Sequence, residues 1–304
     1  LPTLLTLPSL SLTQLQLNLL RSHATGVGNF LSDELVRAII LLRANCLVQG
    51  FSGINPALVS RLLDFLNLGI YPLIPEKGSV GASGDLAPLS HLALPLIGEG
   101  EVRYQGQIYS GKDILKKLNL EPIELGPKDG LALINGTAFM CAHAALACVM
   151  AKDLIQAADI ISCLTLDGIQ GTDRAFSKLV SQLKPHQGQL QTIENLNRIL
   201  QGSEILKSHF DCEKVQDPYS LRCIPQVHGA IRQTLLHAFE VVQTEINSVT
   251  DNPLIFVEQD QVISGGNFHG EALSFCMDYL AIGIAELANF SVRRVEKMVN
   301  PSFS

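Results

Sequence analysis

Ala82-Ser83-Gly84 is the stretch of this chain best suited to build a reactive group from its own backbone. Gly84 has no side chain to obstruct a bend, so its nitrogen can approach the carbonyl of Ala82, two residues back. Ser83 between them carries a β-hydroxyl that can leave as water. Ring closure and dehydration would give a 4-methylidene-imidazol-5-one, a strong electrophile that needs no external cofactor. The tripeptide sits inside Gly78-Ser-Val-Gly-Ala-Ser-Gly-Asp-Leu-Ala-Pro-Leu-Ser-His91, where three glycines and two serines fall within seven residues. Such backbone takes tight, sterically permissive conformations. A phosphate loop is a weak reading, because no lysine follows the glycines and no GxGxxG spacing appears. The plainest reading is a glycine-rich turn feeding a helix that Asp85 caps or begins.

The remaining chemistry-bearing residues each have an ordinary alternative. His23 beside Ser22 suits a helix end, and Asn135 in Leu133-Ile-Asn-Gly-Thr137 suits a turn. Gln216, Tyr219 and Arg222 lie in a polar loop bounded by prolines, Val215 to Pro225. There Arg222 can pair with Asp211, Glu213 or Asp217, a surface arrangement commonly worth little. Phe268 and His269 suit packing and solvent contact. Seven cysteines include no CxxC pair, which favours buried reduced thiols in a cytosolic protein over disulfides or a metal site.

The elements that must position these residues read as helices. Ser11 to Ser22 carries leucines at 12, 15, 17, 19 and 20. Ser32 opens a second helix to about Gln49, and Pro56 to Leu68 is a third, with proline in its first turn and Gly69 after it. Leu86 to Leu96 follows the glycine-rich stretch. Glu101 to Tyr109 alternates around Gln105-Gly106 and reads as a surface hairpin. Helices are expected over Asp113 to Leu118, Thr137 to Leu166, Asp173 to Gln182 and Gln189 to Gln201. A long amphipathic helix spans Gln226 to Val249, with Ile231, Leu235, Ala238, Val242 and Ile246 at bundle spacing. Pro253 to Ser264 reads as a second hairpin, and Glu271 to Val299 as a final helix with basic residues suited to its end. The expected fold is mostly α, a long-helix bundle with small β-hairpin accessories. Residues 1–136 would form the segment carrying Ala82-Ser83-Gly84, and 137–304 the bundle domain.

Composition narrows the class. The chain of 304 residues is 47% hydrophobic and 17% charged, enough for a large core or for surfaces buried between subunits. A net charge of −7 argues against a non-specific nucleic-acid binder. No stretch reads as a membrane span, since the apolar run Ala138 to Ala151 carries His143 and stops at Lys152. Leu1 to Leu10 has no basic start or cleavage site, and both chain ends read as cuts within a longer protein.

The string Gly78 to His91 closely resembles the signature of the ammonia-lyases for histidine and aromatic amino acids, in which the residues matching Ala82-Ser83-Gly84 form that electrophile. Asn135-Gly-Thr137, Gln216-Asp-Pro-Tyr-Ser-Leu-Arg222, Asn247-Ser-Val-Thr-Asp-Asn-Pro253 and Ser264-Gly-Gly-Asn-Phe-His269 resemble further family strings, in the same order. The resemblance covers essentially the whole chain. It implies that the electrophile takes the substrate amine, that Arg222 binds the substrate carboxylate, and that Asn135, Gln216 and Tyr219 form the surrounding hydrogen-bond network. Phe268 would pack near the ring, and His23 would meet the substrate side chain. It further implies a homotetramer with active sites shared between subunits, and no metal, flavin or pyridoxal phosphate.

Ser22-His23, Phe51-Ser-Gly-Ile54 and Lys184-Pro-His-Gln-Gly188 look like the histidine enzymes, so L-histidine to urocanate and ammonia is the favoured reaction. Tyrosine-specific members also carry histidine at the place of His23. An aminomutase with the same electrophile, and a non-catalytic helical assembly module, are the rival readings. The last is kept because Leu1 to Leu10 lacks the tyrosine of the family's amino-terminal loop, and the sequence stops before the family's carboxy-terminal glutamate.

Overall fold

A computed structural model of the chain describes residues 9–211 and 214–300. Leu1 to Pro8, within the stretch Leu1 to Leu10 that lacks the family's tyrosine, and Cys212 and Glu213 lie outside the described residues. The elements in order are α1 (Ser9–His23), β1 (Val27–Phe30), α2 (Asp33–Val48), α3 (Pro56–Leu68), β2 (Ile70–Pro72), β3 (Pro75–Lys77) and α4 (Leu86–Ala93). Then come β4 (Glu101–Tyr104), β5 (Gln107–Ser110), α5 (Gly111–Lys117), α6 (Asp129–Ile134), α7 (Ala138–Gly168), α8 (Lys178–Gln182), α9 (Gln187–Ile199) and α10 (Glu204–Ser208). The series ends with α11 (Tyr219–Arg222), α12 (Ile224–Ile246), β6 (Leu254–Phe256), β7 (Gln261–Ile263) and α13 (Glu271–Val299). The expected mostly-α fold with small sheets is what forms. Two compact units result: Leu1–Leu146 with Val242–Ser274, and Ala147–Val241 with Phe275–Ser304.

The first unit is built on a core that runs from Leu20 through α2, α3 and α4 to Ala142. Local chemistry sets its helix ends. Ser32 accepts the Leu35 N–H at the start of α2, and Asn55 accepts the Ala57 N–H ahead of Pro56. Gly69 stops α3 in the left-handed region at φ 70°. The buried positions of α2 (Val36, Ile39, Ile40, Arg43, Ala44, Cys46, Leu47) follow helical spacing.

The hairpin of β4 and β5 is not the surface accessory its sequence predicts. β4 also pairs antiparallel with β2, and Val102 is fully buried beneath the three-stranded sheet. Two strands with no alternation signal, β1 and β3, pair antiparallel, with Val27 opposite Lys77.

The second unit packs Cys163, Leu166, Phe176, Leu196, Leu200, Leu221, Ile224 and Phe290 into its own core. The helix expected over Asp173 to Gln182 is interrupted: a 3₁₀ turn spans Asp173–Phe176, and Ser177 in extended geometry caps α8 by accepting the Leu179 N–H. Across α7, α9 and α12, a buried polar network centres on Asp159. Its carboxylate accepts from His228 Nδ1 at 2.8 Å, from Arg232 and from Asn195 at 3.2 Å. Burial holds the His228 pKa below its usual value despite that partner.

Two stretches, Asp129–Gly168 and Glu271–Val299, are long and apolar enough to cross a membrane, where the sequence reading found none. The first is mostly buried within the protein, as core helices are. No disulfide joins the six described cysteines, five of which are buried.

Candidate active site

The bend at Ala82-Ser83-Gly84 is shaped by backbone pressed against backbone. Gly84 has φ +80°, and a Cβ there would lie 2.6 Å from the nitrogen of Gly136 and 3.0 Å from Asn135 Oδ1. No alanine fits that space or that conformation. The next residue is tied to the same turn, since the Asp85 N–H donates to the Gly136 carbonyl at 2.7 Å. Among the described residues no partner holds the Gly84 N–H, so the nitrogen that would close the ring is uncommitted. Gly84 itself is buried, whereas Ala82 and Ser83 are exposed. The tripeptide therefore fits the self-made electrophile: a tight left-handed bend, a free nucleophilic nitrogen and a leaving hydroxyl on an exposed residue.

Asp85 begins α4 as the sequence predicts, its carbonyl accepting the Leu89 N–H at 3.1 Å, but its side chain does not cap the helix. Instead one carboxylate oxygen accepts the Ser79 hydroxyl, and the other accepts the Met140 N–H of α7 at 2.9 Å. Ser79 in turn accepts the Gly81 N–H at 3.2 Å. The side chain is fully buried, and burial raises its pKa to about 6 against the pull of Ser79, the Met140 and Phe139 amides, and Arg43.

The other predicted residues of the first unit gather around neighbouring segments. Asn135 closes α6, and its Nδ2 donates to the Asn252 carbonyl at 3.1 Å. Phe268 is half-buried, in a segment fastened to the bend by the Gly270 N–H donating to the Gly81 carbonyl at 2.9 Å. His269 caps α13, accepting the Glu271 N–H at Nδ1. His23 ends α1, with Nδ1 2.9 Å from the Leu19 carbonyl and 3.1 Å from Ser22 Oγ. A carbonyl only accepts, so Nδ1 carries the proton and a neutral ring leaves Nε2 as an acceptor. The loop after His23 reaches the glycine-rich stretch, with Gly26 against Gly78 and its N–H donating to His91 Nε2 at 3.1 Å.

Gln216, Tyr219 and Arg222 belong to the second unit. Gln216 is exposed, and Tyr219 opens the short helix α11 with 67% of its surface exposed and its ring 6.4 Å from that of Phe290. A hydrogen bond with the Cys223 thiol raises the pKa of Tyr219. Arg222 does not pair with the Asp217 carboxylate. Its Nε donates to the Asp217 backbone carbonyl at 2.9 Å, while the Asp217 carboxylate takes the Thr172 N–H at 2.6 Å. Asp211 and Arg222 form no ion pair either, and Glu213 lies outside the described residues. The guanidinium borders a cavity of about 570 Å³ shared with Arg174, Lys207 and His209.

The sequence model of the aromatic amino acid lyases matches residues 5–304. The chain belongs to that family. The histidine ammonia-lyase of Koribacter versatilis is 50% identical over 302 residues, covering 95% of this chain and 58% of the relative. Among solved structures, histidine ammonia-lyase from Trypanosoma cruzi superposes with a TM-score of 0.90 at 40% identity, covering 98% of this chain and 56% of that one. Tyrosine aminomutase from Streptomyces globisporus superposes at 0.88 with 37% identity, covering 96% and 58%. The chain thus spans under two thirds of the length of the lyases it matches.

Three residues beside the bend escaped the sequence reading. Arg43 looks like a charged residue on an ordinary amphipathic helix, but it is fully buried beside Gly136. Met140 offers its backbone to Asp85, and Glu245 accepts the Thr137 hydroxyl. The one available signal was a charged residue at a buried helical phase, at Arg43.

Proposed function

We propose that this lyase-family chain eliminates ammonia from L-histidine to give urocanate. The observation that carries the reading is the Gly84 bend, held against Asn135-Gly136 with its nitrogen unpaired. Identity of 50% to a histidine ammonia-lyase supports the substrate. In ring closure the Gly84 nitrogen bonds to the Ala82 carbonyl carbon, and that oxygen leaves as water with the Gly84 and Ser83 amide protons. The Ser83 Cα proton and hydroxyl then leave as a second water, which forms the methylidene. Once formed there, the ring would supply an electrophile for the substrate amine, which would then be a better leaving group.

A base removes the substrate β-proton as ammonia departs, leaving the unsaturated acid, and the chain's own residues bind and orient the substrate. Arg222 offers its guanidinium fork to the substrate carboxylate. Asn135 supplies a hydrogen bond at the reacting centre and Phe268 packs near it, while the loop bearing Gln216, Tyr219 and Arg222 serves a neighbouring subunit's electrophile. His23 presents Nε2 as an acceptor for the imidazole N–H of the substrate. A homotetramer is supported by the apolar side chains that α13 exposes in the single chain, Phe275, Ile282, Val292 and Val299 among them. The absence of a disulfide among the described cysteines supports a cytoplasmic setting.

A second reading is kept because of the 37% identity to a tyrosine aminomutase: the same electrophile would move the amine and not release it. His23 Nε2 would accept a phenol hydroxyl equally well.

Intact mass with peptide mapping over residues 78–91 tests the electrophile. The expected result is a loss of two waters there, abolished by Ser83→Ala. An unmodified mass in folded protein refutes the proposal. Assays on histidine, tyrosine and phenylalanine, with β-amino acid analysis, then separate lyase from mutase.

A further inference from the structure

We propose that Arg43 is a positioning residue for ring closure at Ala82-Ser83-Gly84, clamping from behind the Gly136 wall against which the bend is pressed. The inference rests on the electrophile reading above and concerns what makes the ring form. Arg43 is fully buried on α2 and has no carboxylate within ion-pair distance among the described residues. Burying a guanidinium that way costs several kcal/mol unless backbone dipoles hold it. Here they do. Nη2 donates to the Ala132 carbonyl in α6, and Nη1 donates to the Thr250 carbonyl at 3.3 Å with Cys46 Sγ at 3.7 Å.

Those carbonyls belong to the two segments that meet at Gly136. Asn135 Nδ2 donates to the Asn252 carbonyl, and the Thr137 N–H donates to Thr250 Oγ1 at 3.4 Å, so the segments are sewn together on either side. A methyl group on Gly136 would collide with Arg43 Nη1 and with the Thr250 carbonyl oxygen. Gly136 also presents its nitrogen to Gly84 and its carbonyl to the Asp85 N–H. Guanidinium and Gly84 therefore both border Gly136. The charge also reaches Asp85, whose ionised form it favours.

Ring closure requires the Gly84 nitrogen to stay within reach of the Ala82 carbonyl carbon, and such reactions are steep in distance. A planar fork grips both segments at once, whereas a lysine ammonium on its flexible stem grips them less rigidly. Loss of the fork lets the Gly136 wall recede and the bend relax.

The test follows water loss over time by intact mass in freshly refolded protein, comparing wild type with Arg43→Lys and Arg43→Met. Val59→Ala, in the same core, serves as a control for destabilisation. Both Arg43 variants should close the ring about 10- to 100-fold more slowly at unchanged circular dichroism, with Lys the milder. Val59→Ala should close it at the wild-type rate. If Met prevents folding, the Lys variant decides alone. Dehydration of Arg43→Lys at the wild-type rate, or equal slowing in Val59→Ala, overturns the clamp while leaving the electrophile standing. A wild-type protein that never loses water overturns both.

Discussion

Asp85 is expected to make the folded protein more stable as pH falls through the range where most proteins begin to lose stability. Its folded pKa is about 6, against about 3.9 for an unfolded aspartate. Between those values the folded chain binds more protons than the unfolded one, so stability declines as pH rises. Working the linkage from about pH 7.5 down to about pH 4.5, protonation of Asp85 contributes about 2 kcal/mol. Other carboxylates titrate in the same window, so the quantity to measure is a difference. Urea unfolding of wild type and Asp85→Asn would be followed across that range. Asparagine cannot ionise and cannot accept from both Ser79 and Met140, a loss that does not depend on pH. The stability of wild type relative to Asp85→Asn should therefore rise by about 2 kcal/mol on acidification. A flat difference, or one that falls, would mean that the amides of α7 and Arg43 outweigh desolvation, and would refute the reasoning.

Four further outcomes follow from single contacts. Gly136→Ala should destabilise by about 3 kcal/mol or more, because overpacking against Arg43 and Thr250 adds to an unfavourable backbone angle of +150°; a urea midpoint within error of wild type would count against it. Asp159→Asn should cost about 3–5 kcal/mol by leaving Arg232 buried without its ionic partner and His228 with a weaker acceptor, read by chemical denaturation. Tyr219→Phe should leave the melting temperature unchanged, since the ring is largely exposed, yet lower turnover by about 10²-fold or more, as kinetics on histidine would report. Arg222→Lys should raise KM more than it lowers kcat, because an ammonium loses the two-point grip on a carboxylate; steady-state kinetics on histidine would check the split.

Helix ends were readable where the deciding atoms are local. Pro56–Leu68 and Glu271–Val299 form with the bounds their sequences predict, because Asn55, Gly69 and the residues around Gly270 act within a turn of the ends they set. The strands β1 and β3 were not readable: three or four residues each, exposed along β1, they exist because Val27 and Lys77 meet from distant parts of the chain. The same distance hid the true partner of Asp85. A capping aspartate and an aspartate that binds another helix look alike in sequence, and the choice here went to the amides of α7. The Gly78–His91 string was legible because ring chemistry depends on adjacent residues. The wall behind it was not, because Arg43, Asn135 and Thr250 come from three separate segments.

A buried carboxylate with a pKa near 6 beside a reactive bend invites the reading of a general base. Geometry argues otherwise. One oxygen of Asp85 is committed to Ser79, the other to the Met140 amide, and the side chain has no exposed surface. A base must reach the proton it removes directly or through one water, and this carboxylate points into the protein. Its bonds instead couple three things: the Ser79 turn, the amino-terminal end of α7 and, through its own N–H, the Gly136 carbonyl. Arg43 borders Gly136 as well, so a buried carboxylate and a buried guanidinium lie around this segment without pairing with each other. The raised pKa is then the by-product of a residue used for holding, and the proton-transfer work falls to groups outside this shell.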